Sequence, residues 1–310
     1  MATNITTSYA GQAAEGYVAA ATLAGPTLAN PNITVHEYVE GKMVVRNLDA
    51  GGALIQDATC AFTSVGDVNY SEGILDLKSL QINLQDCKEN WVKTWEQANR
   101  RALILDQAPP VEMADWMLER LGKKSSGSIE NLVWNGDSVT AGQFDGLIKA
   151  ISAAKTATPD VVFGAVITKD NVIDALQAMM TAVDPAVYST LGEEDGFGIY
   201  VPMLVDQMYQ LALGVNAGGS YGGTVTVDRK PMNFNGIPLI PTPGLTSTTM
   251  VGAKKGDLHF GCNLLADNNE ARIIDMTPTD GSQNFRYVLR FQADTIVTNP
   301  TNITWGTFTV

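Results

Sequence analysis

Ser220 lies in a short stretch that matches a nucleophile motif. The segment reads Gly218-Gly219-Ser220-Tyr221-Gly222, the G-x-S-x-G pattern, and Asp257 and His259 follow in the order that serine hydrolases use. That motif needs a strand before the serine and a helix after it, whereas the sequence around Ser220 predicts a helix before and a strand after. We therefore predict a loop here, and a serine hydrolase using Ser220 and His259 stays the least favoured alternative.

The other clusters of polar residues predict neither a metal site nor a cofactor site. His36 and His259 are the only histidines, and they are too far apart in sequence to predict a pair or a relay. Residues 267–270 read Asp-Asn-Asn-Glu, which offers oxygen ligands but not the spacing of a calcium-binding loop, so we predict a turn. We identify no phosphate-binding or dinucleotide-binding glycine pattern. We therefore predict no catalytic residue, no cofactor and no metal.

The composition indicates a globular protein that does not bind nucleic acid through a basic surface. The chain has 310 residues, a net charge of −13 and 45% hydrophobic residues. A phosphate-binding surface concentrates lysine and arginine, which this acidic chain does not. The apolar run at residues 17–24 is too short to span a membrane, and no basic segment precedes it. Three widely spaced cysteines predict buried, reduced thiols and a cytoplasmic site of synthesis: Cys60, Cys87 and Cys262.

A long amphipathic helix is predicted over residues 109–136. Paired prolines open the segment, apolar residues then recur at helical spacing, and Asn135-Gly136 closes it. Its middle is polar and contains Gly122 and Gly127, each of which costs about 1 kcal/mol relative to alanine. We predict a spine that lies across a sheet and faces different partners along its length.

The segments on either side of this helix predict a mixture of strands and helices. Residues 1–35 are small and polar without firm periodicity, and we predict a frayed terminus rather than an arm between subunits. Residues 35–84 contain short β-like runs, which predict a β excursion without its own core. Residues 161–168 read VVFGAVIT and predict a buried strand, followed by a helix at 170–183. The last third is rich in β-like runs, and the fold class is α+β.

Together these segments resemble the major capsid protein of tailed double-stranded-DNA bacteriophages, which has the fold named after phage Hong Kong ninety-seven. The resemblance rests on the order of the segments and on local sequences: IENLVWNGD, FNGIPLIPTPGL, GDLHFGCNLLADNNEARIIDM and RYVLRFQADTIVT. The run CAFTSVGDVNYSEGILDLKSLQINLQDCKENW resembles capsid proteins of phages that infect Bacteroidota and related hosts.

The resemblance implies a division of the chain into five segments. They are an N-arm (1–35), an E-loop (36–84), a P domain (85–158) that includes the spine helix (109–136), an A domain (159–255), and C-terminal strands (256–310) that return to the P and A domains. It also implies a structural protein that is not an enzyme. Such a chain assembles with itself into pentamers and hexamers, and these form an icosahedral shell around phage DNA.

The resemblance further implies partners and a location. We expect separate scaffold and portal proteins, with decoration proteins as an option, because no long charged helix precedes residue 35. DNA is enclosed without sequence-specific binding, no membrane is involved, and the chain belongs in the virion capsid after assembly in the host bacterial cytoplasm. An encapsulin-type nanocompartment, which uses the same fold to enclose cargo proteins, is the nearest alternative.

Seven residues are predicted to contact neighbouring subunits. Four lie in the predicted E-loop and three on the spine helix: Arg46, Asp49, Asp67 and Tyr70, then Glu119, Lys123 and Lys124. For the charged residues among them, the alternative is a solvated surface charge.

Overall fold

The computed structural model describes most of the chain. The described residues are 8–29, 33–51, 57–58, 60, 67–99, 111–188, 196–216, 232–266 and 269–309. The strands are β1 Ser8–Ala10, β2 Thr34–His36, β3 Lys42–Gly51, β4 Asp67–Asp76, β5 Lys78–Cys87, β6 Val161–Val166, β7 Phe197–Val201, β8 Met232–Phe234, β9 Ile237–Pro241, β10 Thr249–Lys254, β11 Leu258–Cys262, β12 Glu270–Asp275, β13 Asn284–Val297 and β14 Thr304–Thr309. The α-helices are α1 Glu15–Thr22, α2 Pro26–Ala29, α3 Lys88–Asn99, α4 Val111–Asn135, α5 Leu147–Ala154, α6 Val172–Thr181, α7 Pro185–Tyr188, α8 Met203–Asn216 and α9 Thr277–Asp280. Short 3₁₀ turns lie at Gly11–Ala14, Lys255–Asp257 and Pro300–Asn302.

The first sheet is built around the long strand β13. Strand β5 pairs antiparallel with β13 along one edge, while β12 and then β11 pair with its other edge. Strand β1 extends the sheet beyond β12, and β2 extends it beyond β11. Side chains along β13 alternate between buried and less buried, as expected for a strand with one face on the core. This sheet therefore joins the beginning of the described chain to its last third.

The second sheet has the order β6-β14-β10-β7-β9-β8. Helix α6 packs against β6 and β14, and α8 packs against β7 and β9, so these two helices cover its length. Strand β7 is buried throughout. The prediction of a buried strand at residues 161–168 is wrong in its burial, because β6 is an edge strand and most of its residues are exposed.

Helix α4 confirms the predicted spine. It runs unbroken from Val111 to Asn135, and its inner face belongs to the largest apolar core, with these members buried: Met117, Leu118, Leu121, Ile129, Val133 and Trp134. Gly122 is buried where α1 crosses, and a Cβ there would lie just within contact of Ala20 and the backbone of Tyr17. Gly122 therefore lies where the two helices cross, with room for ordinary contact at its Cβ position.

The N-terminal segment, residues 8–29, is folded onto its own chain. Strand β1 pairs with β12, and Ala14, Val18 and Ala21 are buried against the same core as α4. Thr27 donates hydrogen bonds to the buried Glu130 from both its amide and its hydroxyl. The prediction of a frayed terminus is therefore wrong for these residues. The physical reason is that small side chains bury little individually but permit close packing.

No helix among the described residues is long and apolar enough to cross a lipid bilayer.

Candidate functional site

The β3–β4 hairpin, residues 42–51 and 67–76, forms a two-stranded sheet of its own. Opposite residues on one face form successive rows, beginning with the pair Lys42 and Asp76, whose charged groups lie 2.7 Å apart. Val44 opposite Ile74 forms the next row. Further along, Arg46 forms an ion pair with Glu72 at 3.0 Å, and Leu48 is opposite Tyr70. Along the hairpin, ion-paired and apolar rows therefore alternate.

The apolar residues on this face are exposed. Val44, Ile74 and Tyr70 have 46%, 59% and 72% of their surface accessible. A two-stranded ribbon is marginal in water unless its apolar face is covered, and exposed apolar residues that are contiguous mark interaction sites more often than single ones do. We name this surface, with Val44, Ile74 and Tyr70 as its apolar members, the hairpin face. The period-two alternation of Lys42 to Leu48 could have identified it, although our sequence reasoning named only Arg46 and Tyr70 on it.

The opposite side of the hairpin is anchored to the first sheet. Leu75 is fully buried and lies over Gly261 of β11, where a Cβ would overlap the leucine side chain. The amide of Asp76 donates a hydrogen bond of 3.1 Å to the carboxylate of Asp294 in β13. Burial raises the pKa of Asp294 to about 6. The root of the hairpin is therefore fixed by an apolar contact and by a costly buried carboxyl group.

An open cavity of about 470 Å³ adjoins this root, between the β4–β5 junction and α5. Lys149 bridges the carboxylates of Asp137 and Asp145 at 2.6 and 2.7 Å on its rim. Lys149 forms ion pairs with both carboxylates, and this arrangement points to no reaction, so the cavity carries no site.

The structure locates the seven predicted contact residues in two groups. On the hairpin, Arg46 and Tyr70 share the hairpin face, while Asp49 is opposite Asn69 and Asp67 is opposite Gly51. On α4, Glu119 and Lys123 form an exposed ion pair at 2.6 Å, and Lys124 is exposed next to it. The two groups lie on separate elements. Contact of any of them with another subunit stays a prediction.

The two histidines are brought together, contrary to the prediction that neither has a second histidine nearby. Parallel pairing of β2 with β11 sets His36 Nε2 3.2 Å from His259 Nδ1. His259 Nε2 lies 3.3 Å from the hydroxyl of Thr298. Burial, with a smaller contribution from His36, lowers the pKa of His259 to about 4. Both ring nitrogens are engaged, so this histidine is poorly placed to activate a serine, and Ser220 itself lies outside the described residues.

The remaining polar clusters do not assemble a reactive site. Across the described parts of the chain, no group of three or more histidine, cysteine or acidic side chains could hold a metal ion. Of the predicted turn at 267–270, only Asn269 and Glu270 are described. The side-chain amide of Asn269 donates to the backbone carbonyls of Asn263 and Leu264. Cys262 is buried, but Cys60 is exposed, so the prediction of buried thiols is wrong there.

The fold is similar to that of chains in several phage particles. No family model matches the chain, and no curated protein matches its sequence. A chain in the procapsid of satellite phage P4, which includes the size determination protein Sid, matches with a TM-score of 0.59 at 11% identity, over 90% of this chain and 86% of that one. A chain of Microbacterium phage Oxtober96 gives a TM-score of 0.54 at 10% identity, over 92% and 91%. The capsid asymmetric unit of cyanophage A-1(L) gives 0.52 at 13% identity, over 91% and 92%. The chain therefore has the α+β fold of the Hong Kong ninety-seven-type phage major capsid proteins.

Proposed function

We propose that this chain is the major capsid protein of a tailed double-stranded-DNA bacteriophage. The observation that carries the proposal is the extent of the fold match. It covers about nine tenths of this chain and a similar share of the phage chains. The two-stranded hairpin has no core of its own, and such a hairpin is marginally stable in water unless another surface packs against it.

The hairpin face supports self-assembly. It presents Val44, Ile74 and Tyr70 between ion pairs that are already neutralised within the hairpin, so a neighbour can cover it without burying an unpaired charge. Repetition of such modest contacts around closed symmetry makes a durable shell from weak interfaces. The proposed assembly consists of pentamers and hexamers of this chain, joined into an icosahedral shell.

The net charge of −13 fits enclosure of DNA better than binding of DNA. An acidic shell repels phosphates, so the packaged DNA is confined without being held. Separate scaffold and portal proteins, and optional decoration proteins, complete the proposed particle, which assembles in the bacterial cytoplasm. A host among the Bacteroidota and the five-segment division of the chain are further parts of this proposal.

Electron microscopy tests the proposal most directly. We expect closed shells, or rings of five and six subunits, in negatively stained fractions from size-exclusion chromatography of the purified chain, over a series of protein and salt concentrations. Ile74→Asp should abolish these assemblies because it buries a charge in the hairpin face, while Val139→Asp, at a residue 86% exposed in the loop after α4, should leave them unchanged. A chain that stays monomeric throughout, even with its scaffold protein supplied, contradicts the proposal.

The contents of the shells separate the two uses of this fold. Nuclease-protected double-stranded DNA in particles from infected cells supports a capsid, whereas a single enclosed enzyme supports an encapsulin-type compartment. For the hydrolase alternative, Ser220→Ala should leave both assembly and any esterase background unchanged. Loss of turnover in that variant would support an enzyme instead.

A further inference from the structure

Helix α8 exposes an uncharged apolar face. Its outer positions Met203, Gln207 and Leu211 follow one another at four-residue spacing, and Leu211 has 49% of its surface accessible. The helix contains one charged residue, Asp206, which is buried. Surface helices of soluble proteins usually place charged residues on the solvent side. The outer face of α8 therefore carries no charged residue, and Gln207 is the polar member among these three positions.

Strand β6 forms a second uncharged surface. Within the described chain it pairs only with β14, which leaves its other edge open. Its sequence, VVFGAV, carries no charge and no proline, and Val162 is 72% exposed. Natural proteins protect a flat apolar edge with charges, prolines or a covering element, because an open edge invites pairing. Strand β6 has neither a charge nor a proline.

These two surfaces lie at opposite ends of the second sheet. Strand β6 is the first strand in the sheet order, whereas α8 packs on β7 and β9 toward the last strand. Tyr209 of α8 also contacts Phe234 in the terminal strand β8, with ring centroids 5.9 Å apart. Two different surfaces at opposite ends of one unit suit head-to-tail association, which closes into a ring when the rotation allows.

The proposed self-assembly and the net charge together favour a second copy of the chain as the occupant. Two copies that each carry −13 repel wherever acidic surfaces meet, so contact between them is least unfavourable through uncharged surfaces. Both surfaces meet that condition. Methionine also adapts its shape to different neighbours, and Met203 lies on the outer side of α8 with 44% of its surface accessible. Such adaptability suits a chain that must pack at slightly different angles in rings of five and of six.

We propose that the β6 edge of one subunit packs against the outer face of α8 in the next subunit, head to tail around each ring. This inference rests on the proposed capsid function and names a ring interface distinct from the hairpin face. In this arrangement Val162 of one copy lies near Leu211 of its neighbour.

A charge-swap experiment tests the pairing. Leu211→Glu and Val162→Lys are made singly and together, with Val139→Glu as the matched control at an exposed valine outside both surfaces. Each single variant should lower the assembled fraction at least tenfold, measured by size-exclusion chromatography with light scattering and by negative-stain imaging. The double variant should recover most of it, because each new glutamate then meets a new lysine. Circular dichroism and thermal melting check that every variant folds.

Three outcomes overturn the inference but leave the capsid proposal standing. In the first outcome, Val162→Lys assembles like the unmodified chain. If Leu211→Glu nevertheless blocks assembly, the contact is between two α8 helices instead. The double variant could assemble no better than the single ones. All variants could assemble normally while Ile74→Asp does not, in which case the capsid proposal survives and this interface does not. An unmodified chain that never assembles, even with its scaffold protein supplied, overturns both proposals.

Discussion

The N-terminal segment and the β3–β4 hairpin have similar sequence character but opposite fates in the subunit. Both are extensions that the sequence predicts to lack a core. The N-terminal segment buries Ala14, Val18 and Ala21 against α4 and donates hydrogen bonds from Thr27 to Glu130. The hairpin buries Leu75 at its root and leaves Val44, Ile74 and Tyr70 exposed. The apolar residues of the N-terminal segment are covered by its own chain, whereas those on the hairpin face stay exposed.

This difference indicates that an extension contributes to subunit stability when the residues that cover it lie in its own chain, and to assembly when they lie in a neighbour. The hydroxyls of Tyr9 and Tyr17 both donate to Asp115, at 2.8 and 2.9 Å, so the N-terminal segment satisfies polar groups as well as apolar ones on α4. The hairpin's ion pairs are internal to it, and its apolar residues have no cover in the described chain. Stability of the subunit should therefore depend on the first segment, and assembly on the second.

The largest expected effect comes from a charge in the N-terminal segment. Val18→Asp places a carboxylate in a fully packed position and should lower the free energy of unfolding by about 3–5 kcal/mol. The matched change on the hairpin, Val44→Asp, should alter it by less than about 0.5 kcal/mol because Val44 is already in water. Urea denaturation of the two monomeric variants measures both values. Equal destabilisation would remove the distinction between the two regions.

A smaller loss is expected from Thr27→Val, which keeps the shape of the side chain but removes its hydroxyl. That hydroxyl donates to Glu130 and accepts the indole N–H of Trp134 at 3.1 Å, so the variant leaves two buried groups without this partner. We expect a loss of about 2–3 kcal/mol at neutral pH. Burial already raises the pKa of Glu130, so the loss should shrink in acid, where that carboxyl is protonated.

Thr27→Ser is the control for this loss, because it keeps the hydroxyl. It should cost less than about 1 kcal/mol. Thermal melts of both variants at neutral and acidic pH make the comparison. A serine variant as unstable as the valine variant would mean that the methyl group, not the hydrogen bonds, holds residue 27 in position.

The sequence predicts elements well where the signal is local. Helix α4 was predicted within two residues of its observed ends because its apolar spacing, its prolines and its closing Asn135-Gly136 all lie within the segment. Helix α1 was missed because its burial depends on packing against α4, and nothing within residues 8–29 indicates that partner. The prediction of burial was wrong for β6 because the sequence of an apolar run does not distinguish a central strand from a strand at an exposed edge.

Only part of the candidate site was predicted, because local sequence identifies residue types but not long-range contacts. Arg46 and Tyr70 stand out as residue types, and the structure gives them a common face. The pairing of Asp76 with Asp294 joins residues 218 positions apart, and the histidine pair joins residues 223 apart. Contacts of that range depend on strand register across the whole chain, which no local pattern specifies.

Asp294→Asn, at the hairpin root, should stabilise the subunit, whereas Val18→Asp and Thr27→Val should destabilise it. The pKa of Asp294 is raised from 3.8 to about 6 by burial, so the folded state binds a proton that the unfolded state releases between those values. Stability supplied by this group therefore falls as pH rises through that range. Asp294→Asn keeps an acceptor for the amide of Asp76 and should stabilise the subunit at pH 7 by about 2–3 kcal/mol, with little change at pH 4.

The control for this effect is Asp170→Asn, at an exposed carboxylate. Denaturation curves at several pH values should be nearly unchanged in it. A destabilised Asp294→Asn subunit at neutral pH would mean that the charge of Asp294 itself holds the hairpin root.

The smallest effect on subunit stability is expected at the exposed ion pair of the hairpin. Arg46 and Glu72 are both more than half exposed, so Arg46→Gln should change the free energy of unfolding by less than about 0.5 kcal/mol. If the hairpin face is covered by a neighbour, the same variant buries Glu72 without its partner and raises the concentration needed for assembly about tenfold or more. The double variant Arg46→Gln with Glu72→Gln removes that unpaired charge and should restore assembly, measured by light scattering across a dilution series. A double variant that assembles as poorly as Arg46→Gln would mean that assembly needs the arginine itself. A single variant that assembles normally would place the pair outside the covered surface.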